Sequence, residues 1–188
     1  MKVFLVPMLE GLSELLEGPE PQMLDVGVGI AAMAVEYCRQ FPNLRVVGLD
    51  VFPRALELAE TTVRQAGMSD RIELREQDVA TLDDQDRFAL AWLPAPFIPR
   101  DALVTGVSRA AKALVTGGWL VLAHGKFGDD ERDNAVSRFK TDVFGGTPLD
   151  DPEAESLLAS AGLESVFTAP TPPNAPAITV GRRPRSTG

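Results

Sequence analysis

Short apolar runs alternate along this chain with stretches whose apolar residues recur every three or four positions, and that alternation predicts most of its elements. Residues 23–26, 45–50, 72–75, 88–93 and 119–123 are compact apolar runs bounded by glycine, proline or acidic residues, and they read as strands. Between them, residues 30–39, residues 53–66 and the stretch holding Ala102, Leu103, Val107, Ala110 and Leu114 have helical spacing. The second of these helices buries Leu56, Ala59 and Val63, opens on Pro53 and closes at Gly67. Ahead of the first strand, Met8, Leu9, Leu12, Leu15 and Leu16 mark a leading amphipathic helix that Gly18 and Pro19 end. The expected organisation is therefore an N-terminal helical segment over residues 1–20 and one main domain over residues 21–188.

The tail changes the pattern. Residues 132–144 read as a helix, Gly145-Gly146-Thr147-Pro148 as a loop, and Asp151-Pro152-Glu153 as the start of a helix that runs to Gly162. Two last strands, residues 164–168 and 176–180, are joined by a proline-rich connection too short for a crossover helix, so they should form an antiparallel hairpin. The predicted fold class is α/β: a doubly wound, mostly parallel seven-stranded sheet closed by a C-terminal antiparallel hairpin. A dinucleotide-binding sheet usually continues in parallel units instead.

Composition narrows the function classes. With 45% apolar and 24% charged residues in 188, the chain is expected to fold as a globular domain. Its net charge of -9 repels polyanions, so a nucleic-acid partner is not expected. Cys38 and His124 are the only cysteine and histidine, which leaves no disulfide framework and no Cys/His zinc site, so no metal is expected. A reducing cytoplasm suits that cysteine usage, and no run reaches the roughly 20 apolar residues of a membrane span, so no membrane association is expected.

The candidate chemistry gathers where predicted strands end. Gly27 and Gly29, with Ala32, fit the loose pattern G-x-G-x-x-G/A between a strand and a helix, a turn that offers bare backbone to a ligand. Asp25 stands two residues before the first glycine, where a bound pyrophosphate would gain nothing from another anion and a cationic ligand would. Asp50 closes the second strand about 20 residues further on, the separation expected of a carboxylate that holds ribose hydroxyls. Asp78 stands just past the third strand, so three carboxylates line up along the edge where open parallel sheets bind ligands. The fourth strand runs into the rigid apolar loop Pro94-Ala95-Pro96-Phe97-Ile98-Pro99, and Trp92 and Phe97 are candidates to wall a pocket there.

With these residues placed, the chain resembles the class I S-adenosylmethionine-dependent methyltransferases from about residue 23 to residue 183. The matches are Leu24-Asp25-Val26-Gly27-Val28-Gly29, then Gly48-Leu49-Asp50, Gln77-Asp78-Val79, Trp92-Leu93-Pro94 and Gly117-Gly118-Trp119-Leu120-Val121-Leu122. The departures are Ala31 in place of a frequent third glycine, Ala89 at a position often acidic, and Thr116 where a proline often precedes the double glycine. The resemblance implies S-adenosylmethionine as cofactor, with Gly27 and Gly29 approaching its methionine part and Asp25 near the cationic aminoacyl end. It further implies ribose binding by Asp50 with Val51 beside it, adenine contact by Asp78 and Val79, and Trp92 at the cofactor.

The expected reaction is methyl transfer to a small hydrophobic or aromatic molecule, on oxygen ahead of nitrogen or carbon, of the kind met in secondary metabolism. Trp92, Pro94 and Phe97 are the candidate substrate contacts, and His124, the one imidazole, is the candidate base. The short segment before the first motif leaves closure of the substrate site to a homodimer partner or to a missing N-terminal domain. Two alternatives stand beside this reading: a catalytically silent binding or interaction module of the same fold, and a nicotinamide-dependent oxidoreductase, against which Asp25 and the terminal hairpin count.

Overall fold

The computed structural model describes residues 5–127, 130–172 and 175–185, with the side chains of all of these except Asp133 and Lys140. Alternating inward and outward side chains make the strands the middle layer of the domain. Gln22–Val26 (β1) pairs in parallel with Arg45–Asp50 (β2) on one side and with Phe88–Pro94 (β4) on the other. Ile72–Glu76 (β3) extends the sheet beyond β2, and Leu114–His124 (β5) extends it beyond β4. Glu164–Ala169 (β6) and Ala177–Arg182 (β7) form the antiparallel hairpin, with β7 inserted between β5 and β6. The strand order is β3-β2-β1-β4-β5-β7-β6. This is the doubly wound α/β sheet that the sequence predicts.

Helices cover both faces. Met23, Val46, Leu90 and Val121 face Leu12–Leu16 (α1), Ala32–Gln40 (α2) and Pro53–Gln65 (α3). Leu24, Leu49, Leu93 and Leu122 face Arg100–Ala113 (α4) and Asp151–Ser160 (α6). A further helix, Glu131–Val143 (α5), touches the turn Ala95–Phe97. The chain winds outward through β2 and β3, then returns to β4 on the other side of β1. That reversal opens a crevice at the carboxyl ends of the central strands.

Several elements differ from the sequence pattern. The leading helix is divided into the turn Val6–Met8 and α1, because Gly11 takes φ +76° between them. Its apolar stripe survives the break, with Leu9, Leu12 and Leu16 all buried. The fifth strand begins at Leu114, five residues before the expected start, since α4 passes directly into it. Phe88 pairs with Leu114 and Leu90 with Trp119, so Gly117-Gly118 lies in an irregularity within the strand and not in a turn ahead of it. The last helix is capped one residue early: Asp150 accepts from the Glu153 N–H at 2.9 Å, and the Glu153 carboxylate accepts from the Asp150 N–H at 3.1 Å. Among the described residues, no helix is long and apolar enough to cross a membrane.

Candidate active site

The turn after β1 is built from residues that hold the backbone in a left-handed conformation. Gly27 and Gly29 have φ of +67° and +55°, and a Cβ on Gly27 would lie 3.2 Å from Pro94 Cγ. Ala31 follows at φ +60°, which explains why glycine is frequent there in the resembling family: the position asks for a conformation that a side chain disfavours. That strain delays the start of α2 to Ala32, two residues later than the periodicity predicts.

Asp50 ties this turn to the end of β2. Its Oδ2 accepts from the Gly29 N–H and its Oδ1 from the Phe52 N–H, both at 3.0 Å, while its backbone carbonyl accepts from the Gln77 N–H at 3.0 Å. Each carboxylate oxygen keeps a lone pair for a ligand hydroxyl. Asp78 is exposed, and its carboxylate accepts from the Ala80 N–H at 2.8 Å, capping the turn Val79–Thr81. These groups border a cleft of about 540 Å³.

Of the candidates read from the sequence, Gly27, Gly29, Asp50, Val51, Asp78, Val79 and Phe97 line that cleft together. Phe52 and Ala102 join them without a site role read from the sequence, as do Gln77, Ile98 and Pro99, which the sequence marks only as parts of a matched motif and of the apolar loop. Phe52 carries a legible signal, an apolar ring two residues after an acidic strand end, and it remains 67% exposed. Ala102 carries none, because its apolar character marks it equally well as helix core.

Asp25, Trp92, Pro94 and His124 do not line the cleft. Asp25 lies in the middle of the sheet, in register with Gly48 on β2 and Trp92 on β4. It is only 2% exposed, and its Oδ2 has no hydrogen-bond partner among the described residues. Loss of hydration, and then the charge of Asp50, raise its carboxyl from 3.8 to about 7. Trp92 packs against the core on the α1–α3 face, and Pro94 is buried beside Gly27.

His124 is the last residue of β5 and is fully buried, where the sequence suggests a position just past the strand. Its Nδ1 lies 3.0 Å from the Gly125 carbonyl oxygen, which can only accept, so Nδ1 carries the proton. In the neutral ring Nε2 then accepts from the Thr179 hydroxyl at 2.8 Å. Thr179 in turn lies 2.9 Å from the Thr168 hydroxyl, and Thr168 donates to Glu155 Oε1 at 3.0 Å. Both ring nitrogens are thus committed to the packing of β5, β7, β6 and α6.

The Pro94–Pro99 loop is held from a distance in sequence. Thr147 donates its N–H to the Ala95 carbonyl at 2.9 Å and its hydroxyl to the Ile98 carbonyl at 2.8 Å. The Phe97 and Phe144 rings meet at 5.2 Å between centroids. The segment after α5 thereby fixes one wall of the cleft, a role that no local pattern announces.

A parallel sheet with this reversal, a glycine turn after β1 and carboxylates at the ends of β2 and β3 define a class I S-adenosylmethionine-dependent methyltransferase domain. The methyltransferase-domain family matches residues 23–118, just over half of the chain, and the chain belongs to that family.

Curated relatives include the tRNA1(Val) (adenine(37)-N6)-methyltransferase of Vibrio campbellii, 31% identical over 37% of this chain and 29% of its own length. They also include the release factor glutamine methyltransferase of Rhodopirellula baltica, 34% identical over 45% of this chain and 29% of its own length. Among solved structures, an O-methyltransferase family protein from Burkholderia thailandensis superposes with a TM-score of 0.74 at 19% identity. That match covers 96% of this chain and 56% of the other. The chain thus spans about a third or less of these curated relatives and just over half of that structural neighbour. A tRNA methyltransferase among the relatives means that net charge alone does not exclude nucleic acid.

Proposed function

We propose that the domain transfers the methyl group of S-adenosylmethionine to a small apolar or aromatic acceptor, with oxygen as the accepting atom. One observation carries this reading: beside the carboxylates, the cleft is lined by Phe97, Ile98, Pro99 and Ala102, which offer no polar side chain. A purine edge or a glutamine amide leaves water at a substantial penalty unless the protein replaces its hydrogen bonds. An aromatic ring does not. The charge of -9 adds long-range repulsion of RNA.

The residues present fit the cofactor. The backbone of Gly27 and Gly29 suits its methionine part, Asp50 with Val51 its ribose, and Asp78 with Val79 its adenine, while the unpartnered oxygen of Asp25, buried two residues before the glycine turn and outside the cleft lining, suits the cationic aminoacyl end by its charge. When bound, S-adenosylmethionine supplies an electrophilic methyl on a sulfonium. In-line displacement then needs the acceptor atom about 3 Å away and bulk water excluded. Phe97 and Ile98, fixed by Thr147, supply the apolar side of that enclosure. Because both nitrogens of His124 are engaged elsewhere, we assign it to positioning the hairpin, and the favoured acceptor is one that ionises without an enzyme base, such as a phenol. The exposed apolar rim of Phe52, Phe97 and Phe144 is the surface that a second copy or a further domain would cover. Such an acceptor accords with secondary metabolism, and a single buried thiol with a reducing cytoplasm.

The test is transfer of isotopically labelled methyl from S-adenosylmethionine to a panel of phenols, aliphatic alcohols, amines, tRNA and a glutamine-bearing release-factor peptide. Label in phenols, fastest for those most ionised at the assay pH, supports the proposal. Label confined to tRNA or to the peptide overturns it. Binding of S-adenosylhomocysteine with no transfer to any acceptor favours the silent module.

A further inference from the structure

We infer that Gly106, in the middle of α4, sets the depth of the adenine end of the cleft by holding Val79 in place; this rests on the assignment of Asp78 and Val79 to the adenine. Gly106 is buried and is not among the residues with positive φ, so its backbone angles place no demand for glycine. Alanine would favour the helix by about 1 kcal/mol at an unconstrained interior position. What excludes it is the neighbour. A Cβ on Gly106 would lie 2.5 Å from Val79 Cγ1, 3.1 Å from Cγ2 and 3.3 Å from Cβ.

Carbon atoms in contact sit at about 3.5–4.0 Å, so a methyl at this position displaces the Val79 side chain by roughly 1 Å. The turn that carries it has few directions in which to yield. Asp78 caps its start through the Ala80 N–H, and the Thr81 N–H returns to the Asp78 carbonyl at 2.9 Å. At its end, Arg109 Nη1 donates to the Leu82 carbonyl at 2.8 Å. Gly106 and Arg109 are three apart and share a face of α4, so the same face that blocks retreat also grips the turn. With α4 behind and both ends held, displacement is directed into the cleft that Val79 lines. Ala102, one turn earlier on α4, lines the same cleft. Gly106 is therefore a positioning residue, acting on the cofactor only through Val79.

The experiment titrates wild type, Gly106→Ala, Val79→Ala and the double variant with two probes, S-adenosylhomocysteine and 5′-methylthioadenosine, which keeps adenine and ribose but lacks the aminoacyl group. Gly106→Ala is expected to weaken both probes by the same factor, roughly tenfold, because overpacking a tight contact is worth that much in binding. In the Val79→Ala background the added methyl should have little effect, whereas a merely structural role would lower thermal stability in both backgrounds and leave the affinities alone. Equal affinity of wild type and Gly106→Ala overturns the inference, as does an undiminished effect of the methyl without Val79. Should Gly106→Ala fail to fold, a double variant that folds and binds both probes as Val79→Ala does supports the inference, and a double variant that also fails to fold, or binds them more weakly than Val79→Ala, overturns it. If wild type binds neither probe, the adenine assignment falls and this inference with it, an outcome distinct from the variant result.

Discussion

Asp25 makes the stability of the unliganded domain depend on pH in a direction opposite to the usual behaviour of a carboxylate. Its side chain is 2% exposed with an unpartnered oxygen, and burial followed by the charge of Asp50 raises it from 3.8 to about 7. Between those values the folded chain holds a proton that the unfolded chain has released, so stability falls as pH rises from about 4 to about 7 and is level on either side. Each unit of difference is worth 1.36 kcal/mol, so a separation of about three units removes about 4 kcal/mol, an upper figure because local relaxation around the buried carboxylate relieves part of it. Asp25→Asn has no charge to bury. The difference in unfolding free energy between wild type and Asp25→Asn should therefore swing by up to about 4 kcal/mol in favour of the variant across that window, while contributions from the other carboxylates cancel. Urea unfolding of both proteins between about pH 4 and pH 8 measures it. A difference that does not change with pH would refute the reasoning, since it would mean that Asp25 is hydrated or paired in the folded state.

Gly27→Ala forces a side chain into φ +67° and places a Cβ 3.2 Å from Pro94 Cγ. A loss of about 1–2 kcal/mol in stability is expected, together with weaker S-adenosylhomocysteine binding, by thermal unfolding and titration. Thr147→Val leaves the Ile98 carbonyl without its hydroxyl donor and should lower stability by about 1–2 kcal/mol, with faster hydrogen exchange in the loop at residues 95–99. His124→Phe leaves the Gly125 carbonyl without its imidazole donor and the Thr179 hydroxyl with the Thr168 hydroxyl in place of the ring nitrogen, so about 1–2 kcal/mol of stability should be lost. The pH profile of methyl transfer should be unchanged, and loss of an inflection in that profile would restore the imidazole as a base.

Local chemistry made most of the sheet legible. Arg45–Asp50 and the helix that opens on Pro53 stand where their apolar runs and breakers predict. Leu114 and Val115 were not legible as strand, because an apolar pair after a helix looks like more helix until Phe88 pairs with it. The cleft divides the same way. Gly27, Gly29, Asp50 and Asp78 announce themselves through spacing, whereas the loop wall depends on Thr147, about 50 residues away along the chain and brought in only by tertiary packing. Trp92 was misplaced for a simpler reason. Strand parity puts it on the opposite face of the sheet from Ala91 and Leu93, against the first helices. The burial of His124 could not be foreseen without knowing that β7 lies beside β5 and brings Thr179 to its ring.

The most direct test of the site is calorimetric titration of the purified chain with S-adenosylmethionine, S-adenosylhomocysteine and NADH, repeated with Asp50→Ala. The adenosyl ligands should bind the wild type and lose affinity at least about tenfold when the Asp50 carboxylate is removed, as expected for loss of charged hydrogen bonds to a ribose. NADH should not bind. Preferential binding of NADH, or adenosyl binding indifferent to Asp50, would contradict the placement of the cofactor in the cleft between Gly27 and Val79.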